Sequence, residues 1–239
     1  MKFLKTEQEN EREKRKKNFL HNIDPIFIIE EFPMFVDRQV LIRYLVRYEL
    51  FKKILNVIGS IVECGVYSGA SLMLYSVLSS IYEPYAFKRE IIGFDTFGSG
   101  FPSVDEKDGS DALVGDMAHR NFEILQKCIE FYDQNRPISH IPKVKLVKGD
   151  AIQTIPKYFE ENRHQIVAML YLDFDLYAST KVALETILPR MPKGSIIAFD
   201  ELNDSRWPGE TIALLECLNI NNYEINKFPE DPHISWIRL

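Results

Sequence analysis

Apolar residues in this chain cluster in short runs that carry two different periods. A near-continuous apolar run over 166–172 ends in Asp173, and a second over 195–199 ends in Asp200 and Glu201. Runs of this kind predict parallel strands covered on both faces. Between them lie a stretch with helical spacing and a Pro192-Lys193-Gly194 turn. Strand, helix and parallel strand make a right-handed crossover, so both acidic strand ends should meet one edge of the sheet. Open α/β sheets bind their ligands at that edge.

The rest of the chain follows the same grammar. Helical spacing over 35–58 is carried by Val40, Leu41, Tyr44, Leu45, Tyr48, Phe51, Leu55 and Ile58, with Asp37 as N-cap and Gly59 as stop. A strand at 61–63 runs into Cys64-Gly65-Val66-Tyr67-Ser68-Gly69, followed by a helix over 70–82 and a strand over 91–95. A Gly/Pro/Asp-rich stretch within 97–141 predicts a lid or substrate wall, with a helix over 113–133 spaced by Met117, Leu125, Cys128 and Tyr132. Further strands are predicted at 144–147, 223–228 and 234–239, and helices at 156–162 and 210–218. The order predicts an α/β, Rossmann-like fold with a largely parallel sheet. Residues 1–34 read as a charged arm, with a solvated helix or a disordered segment over 1–18, and 35–239 as one domain.

Composition removes some classes. A net charge of -6 argues against a nucleic-acid binder, which would show a basic face. No apolar run approaches the roughly 18 residues of a membrane span, and the charged start lacks the apolar centre of a signal peptide. Three scattered cysteines, Cys64, Cys128 and Cys217, suit reduced thiols and a cytoplasmic location.

The glycine turn after the first strand has Gly65 and Gly69 spaced Gly-x-x-x-Gly, not the Gly-x-Gly-x-x-Gly of a dinucleotide site. Glu63 at that strand end suits an amine-bearing ligand better than a phosphate. Asp95 could accept from a ribose diol, and Asp150 ends a third strand; either could instead cap the following helix. Strand-terminal acids without a phosphate-binding lysine point to a nucleoside of little negative charge, such as S-adenosylmethionine. Asp173, Asp200 and Glu201 form an oxygen-only set suited to Mg²⁺ or another divalent cation, with helix caps or ion pairs as the alternative. Asp175 is a candidate general base, further ligand, or N-cap of the next helix. Trp207 could stack on a sugar ring or plug the adjacent helix.

The blocks RYELFKKILNVIGSIVECGVYSGASLM, IIGFDTFGSGFPSVDEKD, VKLVKGDAIQTIPKY, LDFDLYASTKVALETILP and GSIIAFDELNDSRWPGE resemble the macrocin O-methyltransferase family of class I, S-adenosylmethionine-dependent enzymes, closest to its dTDP-rhamnose branch. The resemblance runs from about residue 32 to the end. It implies a seven-stranded sheet with its last strand antiparallel and helices on both faces, homo-oligomers, and methylation of a sugar hydroxyl, the sugar being free, nucleotide-linked or part of a glycan. By position it assigns Glu63, Gly65, Tyr67, Gly69, Ser71, Asp95, Asp150 and Ala151 to the cofactor, and Asp173, Asp200 and Glu201 to the metal. The Asp-Glu pair departs from the Asp-Asp of the macrolide-sugar enzymes. Some metal-dependent relatives carry a base where Leu176 stands here, so the base must be Asp175, a hydroxide on the cation, or a lid residue such as His140. The rival expectations are a nicotinamide-dependent sugar oxidoreductase and a non-catalytic oligomer that keeps the fold.

Overall fold

The computed structural model describes residues 6–119 and 121–239. They fall into two compact units that divide between Leu41 and Ile42. The first begins with α1 (Glu7–Leu20), where a reciprocal box closes the helix start: Thr6 Oγ1 accepts from the Glu9 amide, and the Glu9 carboxylate accepts from the Thr6 amide. It continues through α2 (Pro25–Glu30) and α3 (Phe32–Phe35). Arg12 and Lys16 both reach Asp37 at 2.9 Å, so the Asp37 side chain serves an ion pair, while its carbonyl accepts the Val40 and Leu41 amides. Of the charged start read over 1–18, residues 1–5 lie outside the described residues; the described remainder is helical from Glu7.

The second unit is built on a seven-stranded sheet: β1 (Ser60–Cys64), β2 (Ile91–Asp95), β3 (Val144–Lys148), β4 (Val167–Leu172), β5 (Ile196–Phe199), β6 (Ile225–Phe228) and β7 (Asp231–Arg238). Their order is β3-β2-β1-β4-β5-β7-β6. The first five are parallel, and β7 runs antiparallel to both β5 and β6. Seven strands with the last one antiparallel match the sheet that the resemblance implies. It differs from the 3-2-1-4-5-6 order of a nicotinamide-binding sheet, which counts against the oxidoreductase expectation.

Helices α4 (Arg38–Lys53), α5 (Ala70–Tyr82), α6 (Phe122–Gln134), α7 (Ala151–Glu161), α8 (Tyr177–Ile187) and α9 (Pro208–Cys217) complete the chain. Alternation along each strand divides the core into two layers. Ile61, Met169 and Tyr171 pack with Leu50, Phe51, Ile54, Leu72 and Tyr75 on one face. Val62, Leu170 and Phe199 pack with Ile155, Phe159, Leu184, Ile187 and Leu214 on the other. Each such fully buried side chain stabilises the fold by about 1.5–3 kcal/mol before entropy is counted.

Three predicted elements need correction. The helix expected over 35–58 breaks at Val36 and Asp37, and α4 ends at Lys53; it buries Val46, Arg47, Leu50 and Phe51, whereas Val40, Leu41 and Leu45 are exposed. Two apolar stripes wind around this helix, and periodicity alone does not say which one faces the sheet. The helix expected from residue 113 starts instead at Phe122, because Gly115 and Met117 adopt left-handed φ of 90° and 58°, which a helix cannot contain. Residue 120, within that expected helix, lies outside the described residues. The helix expected from Pro156 begins earlier, at Ala151, where Asp150 caps it through the Ile152 amide at 3.0 Å. Pro156 sits inside that helix and forgoes one hydrogen bond.

The chain packs closely where β1 and β4 meet, just beyond their carboxyl ends. A Cβ on Gly65 would lie 1.9 Å from the carbonyl oxygen of Asp173, and Gly65 has φ 88°. Gly65→Ala is therefore expected to lower the melting temperature by about 10 °C or more, since both a backbone clash and a left-handed penalty apply. A melting curve within two degrees of the parent would contradict that packing.

Candidate functional site

Strain concentrates where the parallel strands end. Tyr67, Phe97, Asp175 and Asn203 have φ of 51°, 48°, 62° and 65°, and they follow β1, β2, β4 and β5 in turn. Left-handed backbone at non-glycine residues costs about 1–3 kcal/mol each and collects at functional edges. The same edge carries the acids.

Around the glycine turn, Glu63 is completely buried, one oxygen accepting from Ser71 Oγ and the other, Oε2, without a partner. Burial pushes its carboxyl up to about 7, against the opposing pull of the Ser71 hydrogen bond and Arg47. The unpartnered oxygen fits an amine-bearing ligand. The glycines themselves approach protein: Gly65 meets Asp173, and a Cβ on Gly69 would lie 2.4 Å from Leu125 of α6. Asp95 holds the turn, with Oδ2 accepting from the Val66 and Tyr67 amides at 2.9 Å and Oδ1 from Phe97 at 2.6 Å. Asp150 caps α7, and Ala151, the first residue of that helix, is buried among core side chains. Tyr67 is half exposed, and its ring lies 4.3 Å from that of His119.

At the ends of β4 and β5, Asp173, Asp175 and Glu201 each offer a carboxylate oxygen, and these atoms lie within 4.8 Å of one another, the one such metal-type group among the described residues. Burial first, then the neighbouring acids, raises the pKa of Asp173, Asp175 and Glu201. Acids crowded this way hold protons or a cation, and a divalent ion replaces the protons. The arrangement fits a hard, oxygen-ligated ion. Asp200 is drawn elsewhere: its Oδ1 accepts from Arg43 and, at 2.8 Å, from Tyr171 Oη. Burial alone would raise Asp200, but Arg43 and Arg47 outweigh it and keep its pKa low.

Leu176 occupies the N-cap position of α8 and is buried against Phe101 and Ala112, with Val104 and Trp207 alongside. Trp207 is partly buried and meets Phe101 edge-on at 6.1 Å. The α8 cap comes from Asp108, whose Oδ1 accepts the Tyr177 amide at 2.6 Å, so Asp175 is not the cap. His140 precedes β3 and adjoins Ile141, which lines a groove with Gly59, Glu90 and Ile166 at the amino ends of the strands. That is the edge opposite the acids, so His140 does not suit the role of base.

Four residues escaped the sequence reading. Arg43 and Arg47 lie one turn apart on α4, and Arg47 is buried with its guanidinium 5.2 Å from the Tyr171 ring centre. Glu210 is completely buried, one oxygen accepting from the Glu201 amide at 2.9 Å and the other unpartnered. Asp108 is the fourth. The available signal was charge inside otherwise apolar helical spacing, at Arg43 and Arg47, and an acid beside Pro-Gly at Glu210.

Comparison with known proteins places this geometry. A family model described as macrocin-O-methyltransferase (TylF) matches residues 49–212. The crystal structure of CalS11, a calicheamicin methyltransferase, is 34% identical with a TM-score of 0.92, covering 98% of this chain and 93% of its own. The apo structure of CalS11, described as a TDP-rhamnose 3'-O-methyltransferase, is 32% identical with a TM-score of 0.84, covering 98% and 95%. A curated relative, the UvrABC system protein B of Methanosarcina mazei, is 38% identical over 65 residues; the match spans 27% of this chain and 10% of that protein's length, and carries no functional argument.

The raised pKa of Glu63 has a measurable sign. A carboxyl whose folded value exceeds its unfolded one stabilises the fold when protonated and loses that contribution as pH rises through about 7. Glu63→Gln is permanently neutral, so its stability relative to the parent should improve by on the order of 2 kcal/mol between about pH 5.5 and pH 8. Urea unfolding at the two pH values measures this; a constant difference would mean that Glu63 titrates normally.

Proposed function

Because the chain belongs to the macrocin-O-methyltransferase family, we propose that this S-adenosylmethionine-dependent sugar O-methyltransferase acts with a divalent cation on a nucleotide-linked deoxysugar. The similarity to a TDP-rhamnose enzyme over nearly the whole chain supports the acceptor class. The single observation that carries the metal is the approach of Asp173, Asp175 and Glu201 oxygens within 4.8 Å of one another.

Glu63 would receive the cofactor's amine on its unpartnered oxygen. Asp95 keeps the Val66–Tyr67 turn in shape and would hold the ribose end of the cofactor, and Asp150 with Ala151 would take its adenine side. When bound, S-adenosylmethionine supplies an electrophilic methyl and the cation acts as a Lewis acid that eases loss of the hydroxyl proton. Asp173 and Glu201 would hold the cation, with Asp175 close enough to join them and Asp200 engaged by Arg43. Asp175 is the group we assign to receive the sugar proton: it is buried, faces Glu201, and is relieved of capping duty. Leu176 contributes packing, seating the loop around Phe101 that would exclude water from the acceptor. Orienting the hydroxyl in line with the methyl supplies much of the remaining acceleration. We also infer self-association, supported by the exposed apolar residues Ile26, Ile29 and Met34 of the first unit.

Transfer of labelled methyl to TDP-linked and free deoxysugars tests this directly. Chelator treatment should abolish transfer and Mg²⁺ restore it. Asp175→Asn should lower kcat by about 10²–10⁴, the usual contribution of general base catalysis, with cofactor affinity little changed. Full activity after metal removal would defeat the metal assignment, and an undiminished Asp175→Asn would defeat the base.

A further inference from the structure

Helix α8 starts two residues after Asp175, and its own sequence cannot finish its first turn. Leu176 stands at the N-cap with φ -110° and ψ 139°, and an apolar side chain accepts nothing from the backbone. Leu176 and Tyr177 are 4% and 7% exposed, so water does not easily serve the open amides. The acceptor arrives from 69 residues earlier: Asp108 Oδ1 takes the Tyr177 N–H at 2.6 Å.

Asp108 is not a side chain that happens to reach across. Its other oxygen, Oδ2, accepts the Asp105 amide at 2.7 Å, its own amide donates to the Asp105 carbonyl at 3.0 Å, and Asp105 Oδ1 accepts from Lys107. The carboxylate is thus fixed within a closed turn before it meets the helix. Two glycines leave room for the meeting. A Cβ on Gly209 would sit 2.4 Å from Asp108 Oδ1 and 2.5 Å from the Tyr177 nitrogen, and one on Gly109 would sit 1.8 Å from the Arg206 carbonyl oxygen. Lys107 Nζ adds a second tie, donating to Tyr177 Oη at 2.9 Å and to Glu216 at 2.6 Å.

The contact decides what Asp175 is free to do. Asp175 is the acid nearest in sequence to the α8 start, one residue before the N-cap Leu176, and short acidic side chains are the usual acceptors for the open amides of a helix start. With the cap supplied from outside, the Asp175 carboxylate is left beside Glu201 in its left-handed conformation. We propose that Asp108 is a positioning residue for the transfer reaction: by capping α8 from the 101–116 loop, it keeps Asp175 off the helix end and in the acidic group. The proposal rests on the reading of Asp175 as the base, and it makes that loop a fixed wall of the acceptor site.

The test compares Asp108→Ala with Asp108→Asn, which keeps an acceptor oxygen. In Asp108→Ala, amide hydrogen exchange in a peptide spanning Tyr177 should accelerate by about tenfold or more, as expected for a lost cap. Its kcat should fall about tenfold or more while S-adenosylmethionine affinity stays within about twofold, the pattern of a lost transition-state arrangement. Asp108→Asn should restore most of both. In an Asp175→Asn background, Asp108→Ala should cost little further, because the two changes act through one group. Unchanged exchange or unchanged kcat in a folded Asp108→Ala would overturn the proposal, as would full additivity with Asp175→Asn. An active Asp175→Asn would instead overturn the base assignment, whatever the exchange result. If Asp108→Ala does not fold, Asp108→Glu, too long for the space beside Gly209, should lower kcat by about fivefold or more with the exchange change retained; parental kcat in that variant would overturn the proposal.

Discussion

The structure turns on a crowd of acids gathered at the carboxyl edge of the sheet. Asp173, Asp175 and Glu201 come together at the ends of β4 and β5, and Glu210 stands buried behind Glu201. In a low-dielectric setting such a group is unfavourable unless it is protonated, paired or metallated. The neighbouring Asp200 is paired instead: Arg43 and Tyr171 take its carboxylate, and Arg47 lies buried over the Tyr171 ring. Helix α4 thus supplies two cations to the sheet edge, and the remaining acids keep an unmet demand for positive charge. Residual demand of that kind, located at a ligand-binding edge, is what gives a cation site its affinity.

Close backbone approach helps to hold this edge together. Gly65 lies against Asp173, Gly209 against Asp108 and Tyr177, and Gly109 against Arg206. Each contact joins the end of one strand–helix unit to its neighbour, so the turn after β1, the acidic loop after β4 and the start of α9 share one framework. Left-handed residues after four parallel strands are tolerated because this framework over-determines them. The long loop between β2 and β3 joins the same framework through Asp108, Phe101 and Leu176.

Much of this was legible in the residues. Parallel strands buried on both faces leave unbroken apolar runs, and an acid at the end of such a run marks the binding edge, which is why Asp95, Asp150, Asp173 and Asp200 stood out. Long-range partnerships were not legible. Arg43 and Arg47 sit in a helix with two apolar stripes, where charge ordinarily marks the solvent side; only the packing of α4 on the sheet reveals Arg47 as buried and Arg43 as half-buried against Asp200. Asp108 lay in a loop rich in acids, and nothing local distinguishes the one that caps a helix 69 residues away. Asp200 was read as a ligand from its place at a strand end and from the family pattern; here its side chain meets Arg43 and Tyr171, partners far off in the sequence, and Asp175 lies beside Glu201.

If these acids hold a divalent ion beside the methyl donor, the ion is directly visible. The most direct measurement is anomalous diffraction from crystals of the full chain grown with Mn²⁺ and S-adenosylhomocysteine. The expected result is one strong peak bonded to Asp173 and Glu201, with the cofactor's amino group at Glu63. A bound cofactor with no manganese at the acidic group, or manganese seated away from Asp173 and Glu201, would rule out this metal site.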